Sequence, residues 1–181
     1  MSANTYVALL RGINVGGKRK LPMKELAQVF STCKCKDVRT YIQSGNVVFC
    51  ALPDSVKKLA AAVEKKIEAR FGFPVPVVIR SHDQLAKVVR VNPFLTRGAS
   101  DKMLHVVFLA DEPNTAAVRT LDPQRSPGDE FRVIGSEIFL YLPNGAGNSK
   151  LTNAYFDSKL STIGTARNWT TVLNLLEMTA A

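Results

Sequence analysis

Cysteine, histidine and tryptophan are scarce in this sequence. Its 181 residues include three cysteines, two histidines and one tryptophan. Cys33, Cys35 and Cys50 are odd in number and lack metal-ligand spacing, so we predict free thiols and no disulfide framework or zinc site. His82 and His105 do not neighbour a serine or cysteine nucleophile in any known local pattern. We therefore expect no metal and no cofactor, and the sequence identifies no catalytic residue.

Long apolar runs and acidic residues are also scarce. No apolar run approaches the ~20 residues of a membrane span, and residues 1–5 lack the layout of a signal peptide. We therefore expect a cytoplasmic protein with no membrane partner. The 15 acidic residues are outnumbered by 24 Lys and Arg, a formal net charge of +9. Residues 1–39 carry eight of these cations and only two acids, which favours an anionic partner.

The first half of the chain predicts the element order β-α-β-β-α-β. The apolar periodicity and the turn residues place the elements at strand 5–11, helix 22–32, strand 38–42, strand 46–50, helix 54–72 and strand 75–79. A short helix from Ser81 and a connector to Asp101 follow. We therefore predict a first βαββαβ unit over residues 1–80, with the helix and connector over 81–101.

The second half predicts the same order again. Its elements are expected at strand 102–110, helix 113–121, strand 130–134, strand 137–142, helix 149–160 and strand 161–165, with a last helix over 169–178. No sequence repeat relates the halves, so the prediction depends on element order alone. We predict an α+β fold: two tandem ferredoxin-like units, mainly antiparallel, the second spanning 102–181 with an extra C-terminal helix.

A glycine-rich basic segment, Leu10–Lys20, joins the first strand to the first helix. Gly12-x4-Gly17-Lys18 matches the first seven positions of the P-loop pattern, but Arg19 stands where a hydroxyl would bind Mg²⁺. The predicted hairpins also require antiparallel pairing, whereas P-loop proteins have a parallel sheet. A nucleoside triphosphatase is therefore not expected. The loop can still hold a phosphate or another anion, and the alternative is a tight turn with solvated lysines.

Three further polar segments have both a binding and a structural interpretation. Gln43-Ser44-Gly45-Asn46 either faces a ligand or forms a self-satisfied hairpin turn. The loop 143–150 either binds an anion at a helix capped by Ser149 or only turns the chain. Arg167 either clamps a carboxylate or phosphate or pairs with an acid in the fold.

Four segments of the chain together resemble one family. They read LLRGINVGGK (9–18), YIQSGNVVF (41–49), GAGNSKL (145–151) and TARNW (165–169). This combination resembles the bacterial family known as domain of unknown function 1697, over nearly the full chain. The resemblance implies a two-lobed α+β fold with ferredoxin-like units. It implies no established activity and supplies no assigned catalytic residues.

These observations favour a protein that binds a phosphate-bearing or other anionic small molecule. The candidate ligand-binding residues lie in the polar loops: Arg11, Gly12, Asn14, Gly16, Gly17, Lys18, Gln43, Ser44, Asn46, Gly147, Ser149, Lys150 and Arg167. One alternative is an enzyme acting on an anionic substrate near Lys18, Ser44 or Asn46. Another is a nucleic-acid-binding protein, although the strand 46–50 lacks the aromatic pattern of an RNA-recognition motif. The fourth hypothesis is a structural or assembly role, in which the loops serve only as turns. Convergence of the loops decides whether they form one site.

Overall fold

The structure, a computed structural model, describes residues 3–180 except for the side chain of Arg97. These residues form a mixed α+β fold with two four-stranded antiparallel sheets and seven α-helices. The chain divides into two compact units, Met1–Leu85 with Leu175–Ala181, and Ala86–Asn174. None of the described helices has the length and the apolar character needed to cross a bilayer.

The first unit is built around a sheet with the strand order β2-β3-β1-β4. Its elements are β1 (Asn4–Leu10), α1 (Met23–Thr32), β2 (Lys36–Tyr41), β3 (Asn46–Ala51), α2 (Pro53–Val56), α3 (Leu59–Phe71) and β4 (Val77–Ser81). One face of the sheet, with Ala8, Leu10 and Phe49, joins α1 and α3 in a single apolar core. The glycine-rich segment leaves this core at the end of β1.

The helices of the first unit follow from their apolar spacing and end signals. Helix α3 buries Leu59, Val63 and Ile67, which are four residues apart and share one face. It ends at Gly72, whose φ of 79° is the left-handed conformation of a glycine C-cap. We expected one helix over 54–72, but α2 and α3 are separate because Lys58 leaves the helical conformation with ψ near 0°.

The second unit repeats this sheet with the strand order β6-β7-β5-β8. Its elements are β5 (Leu104–Leu109), α5 (Thr115–Val118), β6 (Glu130–Ile134), β7 (Glu137–Tyr141), α6 (Asn153–Leu160) and β8 (Gly164–Asn168). One further helix follows the last strand of each sheet. Helix α4 (His82–Val91) follows β4, and α7 (Trp169–Thr179) follows β8. Every one of the eight predicted strands is present, and several have shifted ends.

The two sheets agree in register as well as in strand order. Val7 pairs with Val48 and Arg80, and Val106 pairs with Phe139 and Arg167. Each arginine therefore has the same place, two residues before the helix that follows its strand. The helices also begin alike, since Ser81 Oγ accepts from Gln84 N–H and Asn168 Oδ1 accepts from Thr171 N–H.

Three predicted elements of the second unit differ in the structure. The helix expected over 113–121 is only α5, Thr115–Val118. Helix α6 begins at Asn153 with Thr152 as its N-cap, so the predicted start at Ser149 is wrong. Residues 146–148 form a separate 3₁₀ turn. The last strand covers Gly164–Asn168 and not 161–165. A methyl group at Gly164 would lie 2.6 Å from Val107 Cγ1, so only glycine allows the two strands to approach this closely. The local sequence does not reveal this contact.

Candidate functional site

The glycine-rich segment forms a small hairpin and not a P-loop. Val15 and Lys18 form an antiparallel bridge, with Lys18 N–H donating to the Val15 carbonyl at 3.0 Å. Gly16 and Gly17 occupy the turn with φ of 57° and 74°. Positive φ at both central residues is the requirement of a type I′ hairpin turn. The glycines therefore shape an exposed two-residue turn, and helix α1 begins only five residues after Lys18.

Asn14 closes the base of this hairpin. Its Oδ1 accepts from Leu21 N–H at 2.8 Å, and its Nδ2 donates to the carbonyls of Leu21 at 3.0 Å and Gln43 at 2.9 Å. Its own N–H donates to the Arg19 carbonyl. Both amide hydrogens of the side chain are thus used within the chain. Asn14 therefore holds the hairpin in place, and its participation in ligand binding stays a prediction.

The turn between β2 and β3 lies directly against the base of the hairpin. Leu10 N–H donates to the Gly45 carbonyl at 2.8 Å. A methyl group at Gly45, whose φ is +82°, would lie 2.7 Å from Ile13 Cδ1 and 2.8 Å from Leu10 Cβ. Only glycine fits this approach. The first two predicted loops therefore converge.

The polar side chains of the second turn serve mainly the turn itself. Asn46 is fully buried, and its Nδ2 donates to the Tyr41 carbonyl and to Ser44 Oγ, both at 3.0 Å. These contacts support the interpretation of a self-satisfied hairpin turn for Asn46 and Ser44. Gln43 is exposed, and its backbone carbonyl accepts from Asn14. Of the predicted residues in this turn, only Gln43 has an exposed side chain near the basic hairpin without a described contact.

Three consecutive exposed cations lie on the hairpin. Lys18, Arg19 and Lys20 are exposed and Arg11 is half-buried. Among residues 3–180, the side chains of Lys18, Arg19 and Lys20 form no ion pair with a carboxylate. Arg19 supported the expectation of an anionic ligand as a cation of this loop, but neither Arg19 nor Lys20 was among the candidate ligand-binding residues. We call Arg11, Lys18, Arg19 and Lys20 the basic hairpin cluster.

The second glycine-rich loop, residues 145–150, belongs to the second unit. Ser149 Oγ accepts from Leu151 N–H at 3.0 Å, and Lys150 N–H donates to Ser126 Oγ at 3.1 Å. Gly147 and the Lys150 side chain are exposed. Because α6 starts at Asn153, Lys150 does not lie at a helix N-terminus, and the expected support from that terminus is missing. Participation of Gly147, Ser149 and Lys150 in one site with the first unit stays a prediction.

Arg167 lies in strand β8 and is only 7% exposed. Its Nη1 donates to Thr165 Oγ1 at 2.8 Å and to the Ala166 carbonyl at 2.7 Å. Burial lowers the pKa of its guanidinium to about 10, so the group is a cation at pH 7. Its counterpart in the first unit, Arg80, is also buried and donates to the preceding carbonyl, that of Ile79. This repetition favours a structural role for both arginines.

The three cysteines are free thiols, as predicted. Burial, with a smaller contribution from Cys33, raises the pKa of Cys35 to about 11, so Cys35 is a poor nucleophile at neutral pH. Within the described residues, no group of three His, Cys, Asp or Glu side chains could hold a metal ion. His105 lines a cavity in the second unit, and burial lowers the pKa of its imidazole.

Comparison with known proteins identifies the family and one similar fold. The model of the family described as "Protein of unknown function (DUF1697)" matches residues 3–139, and the chain belongs to that family. A solved structure, that of the conserved bacterial protein SP0830 from Streptococcus pneumoniae, has 22% sequence identity and a TM-score of 0.76. The similarity covers 99% of this chain and 100% of that one, and it shows a shared fold. No curated protein matches the sequence.

Proposed function

We propose that this member of the DUF1697 family binds a phosphate-bearing anion through the basic hairpin cluster. The observation that carries the proposal is the group of three exposed cations, Lys18, Arg19 and Lys20, without carboxylate partners among residues 3–180. Like charges on neighbouring residues repel one another, and a bound anion relieves that repulsion. The site residues are therefore narrowed to Arg11, Lys18, Arg19, Lys20 and Gln43.

Preorganisation of the hairpin supports this proposal. Asn14 ties the hairpin to Leu21 and Gln43, and Gly45 lets the neighbouring turn come within contact distance. A loop that already has its bound conformation loses less conformational entropy when a ligand arrives. Gly12, Gly16 and Gly17 contribute through their positive φ values, which shape the hairpin. The first two sequence motifs thus form one connected support for positive charge.

The architecture of each unit is consistent with a scaffold for such a loop. We interpret both units as ferredoxin-like, because the order β-α-β-β-α-β occurs twice with the strand orders β2-β3-β1-β4 and β6-β7-β5-β8. In the first unit the hairpin is an insertion between β1 and α1. A fold alone does not determine a function, so the proposal depends on the cluster and not on the topology.

A nucleic acid is the second candidate for the anion. The cations lie on an exposed hairpin, and two apolar side chains beside them are also exposed, Val15 by 67% and Ile42 by 50%. Ile42 has a φ of 49°, a conformation that is unusual for a β-branched residue. An exposed group of cations suits the phosphate backbone of a polynucleotide, and the aliphatic Val15 and Ile42 can contact bases without the stacking that aromatic side chains provide.

Binding assays with a charge-matched control test the proposal. We expect nucleotides, phosphosugars or short single-stranded RNA to raise the melting temperature, and K18A/R19A/K20A to remove the increase. The control K58A/K65A/K87A removes the same charge from exposed lysines outside the hairpin and should retain binding. For RNA, loss of three phosphate contacts should reduce the slope of log K against log salt by about 2. Equal losses of ligand binding in both triple variants would contradict the proposal. So would a melting temperature that none of these anions changes.

A further inference from the structure

A cavity of about 340 Å³ in the second unit is lined by the loop over residues 121–129 and by the start of β6. The loop contributes Pro123, Gln124, Gly128 and Asp129 to the lining, and the strand contributes Glu130 and Arg132. The volume equals roughly eleven liquid waters at about 30 Å³ each, so the cavity can hold a small organic molecule.

Asp129 is a buried acidic residue in this lining. Its exposed fraction is 8%, and no cationic side chain among residues 3–180 forms an ion pair with it. Arg125, the cation of the same loop, lies over the Tyr155 ring instead. Aspartate is almost never this buried without a partner, because burial of an unpaired charge is strongly unfavourable. Glu130 lies 3.9 Å from Arg132, so Asp129 leaves the lining with one uncompensated negative charge.

One oxygen of the Asp129 carboxylate is bonded within the chain and the other is available. Oδ2 accepts from Ser126 Oγ at 2.6 Å, and Ser126 Oγ itself accepts from Lys150 N–H at 3.1 Å. Among the described residues, Oδ1 has no hydrogen-bond partner. The described buried side-chain atoms without a partner are His105 Nδ1 and Asn153 Oδ1, so Asp129 Oδ1 is not sealed off and can be reached from the cavity. A donor inside the cavity therefore meets an unused, charged acceptor.

The loop holds this carboxylate in a defined position. Asp129 N–H donates to the Ser126 carbonyl at 3.0 Å, in addition to the bond between their side chains. At the other end of the loop, Asp122 N–H donates to the Tyr155 hydroxyl and Asp122 Oδ1 accepts from Gln124 N–H, both at 2.8 Å. An acceptor that is already ordered loses less conformational entropy when a ligand binds. The loop therefore presents Asp129 to the cavity in a binding-ready arrangement.

We propose that this cavity binds a small primary alkylammonium ion, with Asp129 as the anchoring carboxylate. An ammonium group is a compact monovalent cation with three N–H donors, so it matches one negative charge and one unused oxygen. The exposed side chain of Gln124 lines the same cavity, and its amide oxygen can accept a second N–H. A metal ion fits less well, because no group of three His, Cys, Asp or Glu side chains in the described part of the chain could hold one.

Titration of the ¹⁵N-labelled full chain with n-butylammonium chloride at constant ionic strength, followed by amide NMR spectra, tests this inference. Saturable shifts are expected at Gln124, Gly128 and Asp129. Two control ligands separate the contributions to binding: n-butanol has the same alkyl chain without charge, and tetramethylammonium has the charge without an N–H donor. Each of them should bind at least tenfold more weakly than n-butylammonium, because charge and hydrogen bonding to Asp129 Oδ1 both contribute.

Substitution of the anchoring carboxylate tests its role directly. D129N keeps the shape of the side chain and an oxygen that can accept from Ser126, but it removes the charge, and it should weaken n-butylammonium binding at least tenfold. The control D111N removes the same charge at an exposed position of the same unit and should retain binding. If D129N does not fold, the comparison of n-butylammonium with n-butanol on the wild-type chain decides.

This site and the basic hairpin cluster can be tested separately, because they belong to different units. K18A/R19A/K20A should bind n-butylammonium as the wild type does, and D129N should retain the response to phosphate-bearing ligands. Absence of saturable shifts, equally strong binding of n-butanol, or equal n-butylammonium binding by wild type and D129N would overturn the proposal.

Discussion

Individual residues explain why the first two motifs, residues 9–18 and 41–49, have the amino-acid sequences they have. Gly45 allows two loops to touch, Asn14 uses both amide hydrogens and its amide oxygen to close the hairpin, and Asn46 is buried and bonded to its own turn. Each of these residues was a plausible ligand or turn residue from the sequence. Their hydrogen bonds show that they build the support for the basic hairpin cluster, and the exposed cations beside them remain the candidate binding groups.

Gly45→Ala should be much more destabilising than a glycine substitution in open space. The new methyl group would lie within 2.8 Å of two side chains at a φ of +82°, so we expect a loss of about 2–4 kcal/mol in the free energy of unfolding. Gly72→Ala is the control, because its φ is also positive but no atom lies within 4 Å; a loss of about 1 kcal/mol is expected there. Urea denaturation measures both. Similar losses of stability in the two variants would contradict the close approach of Gly45 to Leu10 and Ile13.

Secondary-structure elements show where local pattern is a sufficient guide and where it is not. The glycine C-cap and four-residue apolar spacing of α3 are visible in the sequence, and the helix ends where they indicate. The start of α6 was predicted four residues early, because Ser149 and Thr152 both precede apolar residues and both can cap a helix. The choice depends on Lys150, whose N–H donates to Ser126 Oγ, 24 positions away in the chain.

The two possible caps of α6 can be separated by substitution. Thr152 Oγ1 accepts from Tyr155 N–H, as an N-cap does, whereas Ser149 Oγ accepts from Leu151 N–H outside the helix. Thr152→Ala should therefore lower the free energy of unfolding by about 1 kcal/mol, and Ser149→Ala should have a smaller effect. Thermal or chemical denaturation distinguishes them. A larger loss of stability in Ser149→Ala than in Thr152→Ala would instead support a helix that starts at Ser149.

At the scale of the whole molecule, the chain contains the same sheet twice without a visible sequence repeat. The agreement extends to single residues: Arg80 and Arg167 occupy the same register, are buried, and donate to the preceding carbonyl. The units differ at the place where the first has Tyr6 and Phe49 and the second has His105 and Leu140. Common architecture thus coexists with different side chains at this place.

The two buried arginines should behave alike when they are replaced. Lysine lacks the planar guanidinium that reaches neighbouring backbone oxygens, so Arg80→Lys and Arg167→Lys should each lower the free energy of unfolding by about 1–3 kcal/mol. Arg90→Lys, at an exposed position of α4, should have little effect. Phosphate-ligand binding should be unchanged in Arg167→Lys. Weaker binding with unaltered stability would instead support the original interpretation of Arg167 as an anion clamp.

The sequence alone determined the α+β class, the existence of eight strands, the family and the concentration of positive charge near residue 18. The fold class and the strands depend on short-range periodicity, the charge depends on composition, and the family depends on the resemblance of four short motifs; each can be read from the chain without knowing which distant residues meet. Only the tertiary structure decided that Asn14 and Asn46 are engaged internally, that Arg167 is buried in a strand, and that His105 borders a cavity. Each of these depends on which residues distant in the chain become neighbours, as Gly45 does with Leu10 and Ile13.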